Sequence, residues 1–331
     1  MKPQPLPPNV LRHFYAGGPR IAALRGLDAV DDHMPEEWLG AVNTTFGARD
    51  DRGLSRLADG TLVRDAIAAD PLAWLGKEHV ARYGSDPALL TKLLDSGQRL
   101  PVHYHPGRAL AAEQLGLAHG KTEAWLIVEA EPDAVVHVGF TEPVEIDTVR
   151  AWMRAQDGAA MLAAMSELPV AAGDAIFVPA GTPHAIGAGL LLVELQEPTD
   201  LSICLEWEPF GLTEAQAHLG LGWDVALPAL DPGGWDVAGM AASCGFGPGP
   251  RLLPPAADPY FRAERVEGGD ELDQGFSVVV GLGGEGTLGD VPFGRGSAVL
   301  LPHAAGALTV TGDASGIRCR PPDPGAPEGR W

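Results

Sequence analysis

The chain has 331 residues, 45% of them hydrophobic, with a mean hydropathy of +0.02 and a formal charge of −21. That composition excludes intrinsic disorder and leaves room for one large or two modest domains. So much negative charge repels phosphate backbones and anionic membrane surfaces. No nucleic-acid or membrane partner is therefore expected, and a phosphorylated ligand would need a local basic pocket.

Forty-three glycines and thirty prolines separate short apolar runs, the pattern of an all-β dominated chain interrupted by helices. In chain order, "RIAAL" (20–24) reads as a strand, and "PLAWLGKEHVARYG" (71–84) and "PALLTKLLDSG" (87–97) read as helical. "RLPVHYH" (99–105), "TEAWLIVEA" (122–130) and "AVVHVGF" (134–140) read as strands. Apolar residues recur at helical spacing for about six turns in "IDTVRAWMRAQDGAAMLAAMSEL" (146–168). "DAIFVPA" (174–180), "LLLVELQE" (190–197) and "SICLEWE" (202–208) are further strands. A Gly/Pro-rich stretch after Phe210 reads as a connection. Strand patterns then resume in "FSVVVGLGGEGTLG" (276–289), "SAVLLPHAAGALTV" (297–310) and "GIRCRPP" (316–322). The predicted division is 1–222, a connection over 223–259, and a smaller β unit over 260–331.

Cys204, Cys244 and Cys319 are far apart and odd in number, which fits neither a disulfide framework nor a cysteine zinc site. The first twenty residues carry no apolar signal-like core and no run approaches membrane-spanning length, so a cytoplasmic chain is expected.

Three segments carry chemistry. In a strand, residues i and i+2 share a face, so His103 and His105 can aim two imidazoles at one point while Tyr104 faces away. In "GDAIFVPAGTPH" (173–184) a strand ends in a tight turn, with Gly181 available for a positive φ, and His184 opens the next strand. In "GKTEAWLIVEA" (120–130), Glu123, Trp125 and Ile127 alternate against Ala124, Leu126 and Val128. An acid on so apolar a strand is explained either by an exposed strand start or by a carboxylate ligand beside the imidazoles. Imidazole with carboxylate suits zinc, iron, manganese, cobalt or nickel.

Together these segments resemble the two motifs of the cupin family, a small jelly-roll β-barrel with metal in its mouth. The resemblance implies a metal set of His103, His105, Glu123 and His184. "HP" after His105, "GKTEAW", "VPAGTPHAIGAGLLLVELQEPTD" (178–200) and "PEEWLG" (35–40) narrow it to the type I mannose-6-phosphate isomerase family, in its short bacterial form. It runs from "LRHFYAGGPRIAAL" to "LEW" and more weakly through the C-terminal β unit, which resembles a degenerate second cupin without metal. It implies one divalent ion, zinc in this family, and interconversion of mannose 6-phosphate and fructose 6-phosphate, or a related sugar pair, through a cis-enediol. Lys121, Glu194 and Asp200 match the family's catalytic positions, and Arg108 and Lys121 are the expected substrate-binding residues.

Two departures stand out. The family usually has Gln-x-His where this chain has His103-Tyr104-His105. Its catalytic arginine falls, by counting along "TDLSICLEW", on Cys204, and no arginine occurs between Arg154 and Arg251. A neutral thiol supplies neither a fixed charge nor forked hydrogen bonds. The isomerase reading therefore has two alternatives, a non-catalytic sugar-binding relative and a different metal-cupin enzyme such as an Fe(II) dioxygenase. A monomer or homodimer is expected. His137 reads as a core histidine, and His303 sits in a PAG-like turn of the second β unit.

Overall fold

Leu90–Ser96 and Leu190–Gln196 are the two central strands of a six-stranded antiparallel sheet, and every residue of both is buried. The computed structural model describes residues 1–28, 31–243 and 249–329. The six strands run in the order Val10–Leu11, Glu36–Leu39, Leu90–Ser96, Leu190–Gln196, Glu123–Ala130 and Ala175–Val178. A second sheet orders Ile203–Cys204, His103–Tyr104, His184–Ile186, Val135–Phe140 and Met165–Pro169. A third orders Gln4–Pro5, Ala298–Leu301, Ser277–Gly283, Ser315–Arg320 and Arg262–Glu267. Strand Gln4–Pro5, from the first predicted segment, thus lies at the edge of a sheet otherwise built from the last.

The six-stranded sheet packs on both faces. Trp125, Ile127, Leu94 and Leu192 join Val136, Val138 and Ile186 of the second sheet in one core. Ala124, Leu126, Leu93 and Val193 join Val278, Val280, Leu300 and Ile317 of the third sheet in another. The predicted alternation along 123–128 is therefore observed. A strand buried on both faces loses the polar-apolar alternation that marks an exposed one.

This corrects the reading of "PALLTKLLDSG", which is a strand and not a helix. Leucine favours a helix by at most about 0.7 kcal/mol per residue, whereas burying each side chain contributes about 1.5–3 kcal/mol. The sheet wins. Conversely, "RIAAL" lies in a helix, Pro19–Arg25, begun by Pro19 at a first-turn position and stopped by Gly26 at φ 64°. The six-turn helix over 146–168 is two helices, Ile146–Ala155 and Gly158–Ala164. Gln156 turns left-handed at φ 51°, Asp157 caps the second helix by accepting from Ala160 N–H, and Met165–Pro169 is a strand. "RLPVHYH" pairs only over His103–Tyr104.

Within 223–259, Ala226, Leu227 and Leu230 pack into a core with Tyr104 and Ile203. Cys204 and Cys319 are free and buried, and Cys244 lies outside the described residues. Among the described residues no helix is long and apolar enough to cross a membrane.

Candidate metal centre and its cavity

Cross-strand register sets the site. In the second sheet His103 lies opposite His184 on one side and Cys204 on the other. Directly paired residues share a face, so the three side chains form a row. Tyr104 points the other way and its hydroxyl donates to the Ala226 carbonyl at 2.8 Å. The facing row of the six-stranded sheet is Trp38, Lys92, Glu194 and Trp125, again in direct register. Between the rows lies a cavity of about 620 Å³.

His103, His105 and His184 form a buried group able to hold a metal ion. Each ring is aimed by a backbone carbonyl. Nδ1–H of His103 donates to Pro101 at 2.8 Å, that of His105 to Leu201 at 2.7 Å, and that of His184 to Thr182 at 2.8 Å. A carbonyl only accepts, so the proton sits on Nδ1 and Nε2 keeps its lone pair. Burial first, with Lys121 as a further cause, pushes His105 down to about 3. Burial likewise holds His184 at about 3 and His103 well below its ordinary range. All three rings are neutral at pH 7.

The Nε2 atoms of His103 and His184 nevertheless stand 2.9 Å apart with no hydrogen to share. His105 Nε2 is 2.9 Å from Glu123 Oε2, and neither atom has a hydrogen-bond partner. Lone pairs facing lone pairs among buried side chains repel one another unless a cation lies between them. The residues fit a divalent ion.

Glu123 sits at the start of its strand, also 3.4 Å from His184 Nε2, and accepts from Trp125 Nε1–H at 2.9 Å. Lys121 Nζ lies 3.1 Å from Glu123 and 3.9 Å from Glu194. The turn before them is tight, because a side chain on Gly120 would come within 2.6 Å of the Pro106 carbonyl. Gly181 adopts φ 87°, as the turn before His184 requires, and donates N–H to His105 O at 2.8 Å.

The sequence reading missed the other half of the polar lining. Lys92 is 1% exposed and lies 3.1 Å from Glu36, 3.5 Å from Glu194 and 4.0 Å from Asp200. Burial opposes its charge, but the three acids hold its pKa above the ordinary lysine value. Glu36 also accepts from Tyr15 OH at 2.5 Å and Trp38 Nε1 at 2.7 Å, and lies 3.3 Å from His13. Against burial, His13 and Lys92 hold it well below the carboxylate range. Glu194 goes the other way. Burial, then repulsion from Glu123, raises it to about 7 despite the two lysines. Asp200 lines the cavity and accepts from Phe46 N–H at 3.1 Å.

Arg12 and Arg52 also line the cavity, with side chains 62% and 59% exposed. Four acids (Glu36, Glu123, Glu194, Asp200) are thus matched by four bases (Arg12, Arg52, Lys92, Lys121) inside a strongly acidic protein. Cys204 lines the cavity too, its thiol pushed up to about 12 by burial and therefore neutral.

Arg108 is not among the cavity-lining residues. Its Nε donates to Glu197 at 2.5 Å, a terminal nitrogen donates to the Pro259 carbonyl, and the guanidinium lies 4.6 Å over the Tyr260 ring. His137 is 3.4 Å from Glu167, outside the cavity. His119 was not singled out by the sequence. It sits 2.8 Å from Asp86 and 3.8 Å from Glu197. Burial pulls it down, but the hydrogen bond to Asp86 and the nearby Glu197 carboxylate raise it to about 9, against an ordinary 6.5. A cation stabilised in the folded state contributes fully below pH 6.5 and is lost as pH rises through 9. The melting temperature is expected to fall across that window, and His119→Gln to flatten the slope. An unchanged slope in the variant would assign the effect elsewhere.

No family model matches the chain. Over 188 residues it is 37% identical to mannose-6-phosphate isomerase of Streptococcus mutans, a match taking in 56% of this chain and 54% of that protein. The chain thus spans about half the length of this curated relative. The crystal structure of mannose 6-phosphate isomerase from Bacillus subtilis superposes with a TM-score of 0.75 over 97% of this chain and 100% of that one, at 21% identity. The chain has the fold of that isomerase. A mannose 6-phosphate isomerase bound with zinc and yttrium superposes with a TM-score of 0.74 at 14% identity, over 98% of this chain and 100% of that one.

Proposed function

We propose that this protein is a metal-dependent aldose–ketose isomerase acting on mannose 6-phosphate or a closely related sugar phosphate. The observation that carries the proposal is the convergence of three unprotonated Nε2 atoms on Glu123, at the wall of a cavity that His103, Glu123, Lys121 and Glu194 line. We read His103, His105, Glu123 and His184 as ligands of one divalent ion, zinc, in the mouth of a cupin-type jelly roll formed by the first two sheets. Residues 1–222 would carry the site and 260–331 a smaller supporting β unit.

The ion supplies Lewis-acid polarisation of the sugar oxygens when bound. The rest falls to side chains. Glu194, whose Oε1 lacks a hydrogen-bond partner and lies 3.9 Å from Lys121 Nζ, is suited to take the proton from C2 of the aldose and return it to C1. Lys121 donates hydrogen bonds to the oxygens of the cis-enediol that forms between the two transfers. Lys92 and Asp200 fix the direction of the Glu194 carboxylate and the sugar hydroxyls. Arg12 and Arg52 are the rim cations open to a phosphate, which would compete with Asp31, 2.6 Å from Arg12, and with Asp50, 3.9 Å from Arg52.

Cys204 favours one second reading, a sugar-binding relative without turnover. The test is proton NMR of mannose 6-phosphate in D2O with zinc-loaded protein. Deuterium at C2 or conversion to the ketose is expected. No exchange at full metal occupancy would leave the binding-only reading.

A further inference from the structure

Glu197 does not line the cavity, yet it touches the segment that carries two of the cavity's charged groups. Its carboxylate is fully buried. Oε2 accepts from Thr122 N–H at 3.0 Å, and the Glu197 N–H donates to the Thr122 carbonyl at 3.1 Å. One residue therefore holds both polar backbone groups of Thr122, which lies between Lys121 and Glu123. The same segment is stapled at Gly120 O by the Thr199 hydroxyl at 2.7 Å, and at Lys121 N–H by Pro106 O at 3.0 Å. On the far side, Arg108 donates to Oε1 and is itself anchored on Pro259 and Tyr260.

We propose that Glu197 is a positioning residue that sets Lys121 and Glu123 through Thr122, and that Arg108 is the strut that keeps its carboxylate in place. Arg108 thereby serves the site from outside rather than touching substrate. The physical warrant is that a buried carboxylate stays ionised only with its partners, and a buried N–H left without an acceptor moves to find one. The placement of Lys121 depends on these bonds, and a misplacement of about 1 Å is enough to cost about 10²-fold in rate. The proposal rests on reading Glu123 as a metal ligand and Lys121 as a catalytic residue.

The test compares wild type, Glu197→Gln and Arg108→Gln by zinc competition against a chromogenic chelator, and by kcat and KM for mannose 6-phosphate. Glu197→Gln keeps the side-chain shape and removes the charge. Zinc affinity is expected to drop about tenfold, as for groups that orient metal ligands. kcat should fall about 10²-fold with KM changed less than about threefold, a split that general loosening of the fold does not produce. The double variant should be no worse than Glu197→Gln alone, because both remove one interaction. Zinc affinity equal to wild type in both single variants overturns the proposal. Should Glu197→Gln not fold, Arg108→Gln, whose side chain is 27% exposed, decides the matter by itself. If wild type binds zinc but turns over no sugar, the isomerase reading fails while the zinc measurement still decides this one.

Discussion

His184→Ala is expected to abolish the zinc-induced stabilisation of the protein and to bring isomerase turnover down to background. His184 offers its lone pair to the centre from a ring locked by Thr182, directly opposite His103 in the row. With free zinc at about a thousand times Kd, wild type should gain about 4 kcal/mol of stability through linkage. The variant should gain less than about 1 kcal/mol, with affinity down roughly a thousandfold. Metal-free protein gives a second contrast. The mutation removes the 2.9 Å opposition between the Nε2 atoms of His103 and His184, which offsets part of the cost of the lost packing. Thermal melts with zinc and with chelator measure both effects. Equal zinc shifts in variant and wild type would remove His184 from the ligand set.

The second large effect concerns folding. Lys92→Met keeps length and apolar bulk but leaves Glu36, Glu194 and Asp200 without the ammonium they share. Removing one partner of a buried charge network costs about 3–5 kcal/mol, and that loss is expected at pH 8 by denaturant titration. The sign with pH follows from linkage. Without Lys92 the acids bind protons more tightly still in the folded state, so acidification stabilises the variant more than wild type, in which Glu194 is already raised. The deficit should therefore shrink between pH 8 and pH 5. Trp38 reports the site directly, because the ammonium lies 4.9 Å from its ring centre. A variant as stable as wild type at pH 8 would mean that water already screens these acids.

These residues also mark how much of the molecule could be read in advance. His103, His105 and the turn before His184 were legible because a two-residue period and a glycine-dependent turn are local properties. Glu123 stood out as an acid on an apolar strand. Lys92 was equally anomalous between leucines, but its segment was read as a helix. A strand covered on both faces has no alternation, and leucine pairs at 89–90 and 93–94 match a helical period equally well. Glu36, His13 and Tyr15 come from segments whose contribution depends on which strand lies next to Leu90–Ser96. That is a tertiary fact with no sequence signature. Arg108 illustrates the converse: its neighbourhood in sequence pointed to the substrate, and its partners came from residues 197, 259 and 260. Pro19 and Gly26, by contrast, were available signals for the helix mistaken for a strand.

The edge position of Gln4–Pro5 has a consequence for how the chain is made. Its partner strand, Ala298–Leu301, is synthesised nearly 300 residues later, roughly 15–60 s at the usual 5–20 residues per second. Arg25 spans the same interval, donating to the Gly296 carbonyl while it pairs with Glu37. The third-sheet face of the six-stranded sheet, with Leu93, Leu126 and Val193, also waits for Val278, Leu300 and Ile317, though over shorter separations. A ribosome stalled before residue 298 would therefore present a nascent chain with every metal-binding candidate already emerged and an apolar sheet face only partly covered, by Ile21, Leu24, Ile67 and Trp74 of the same core.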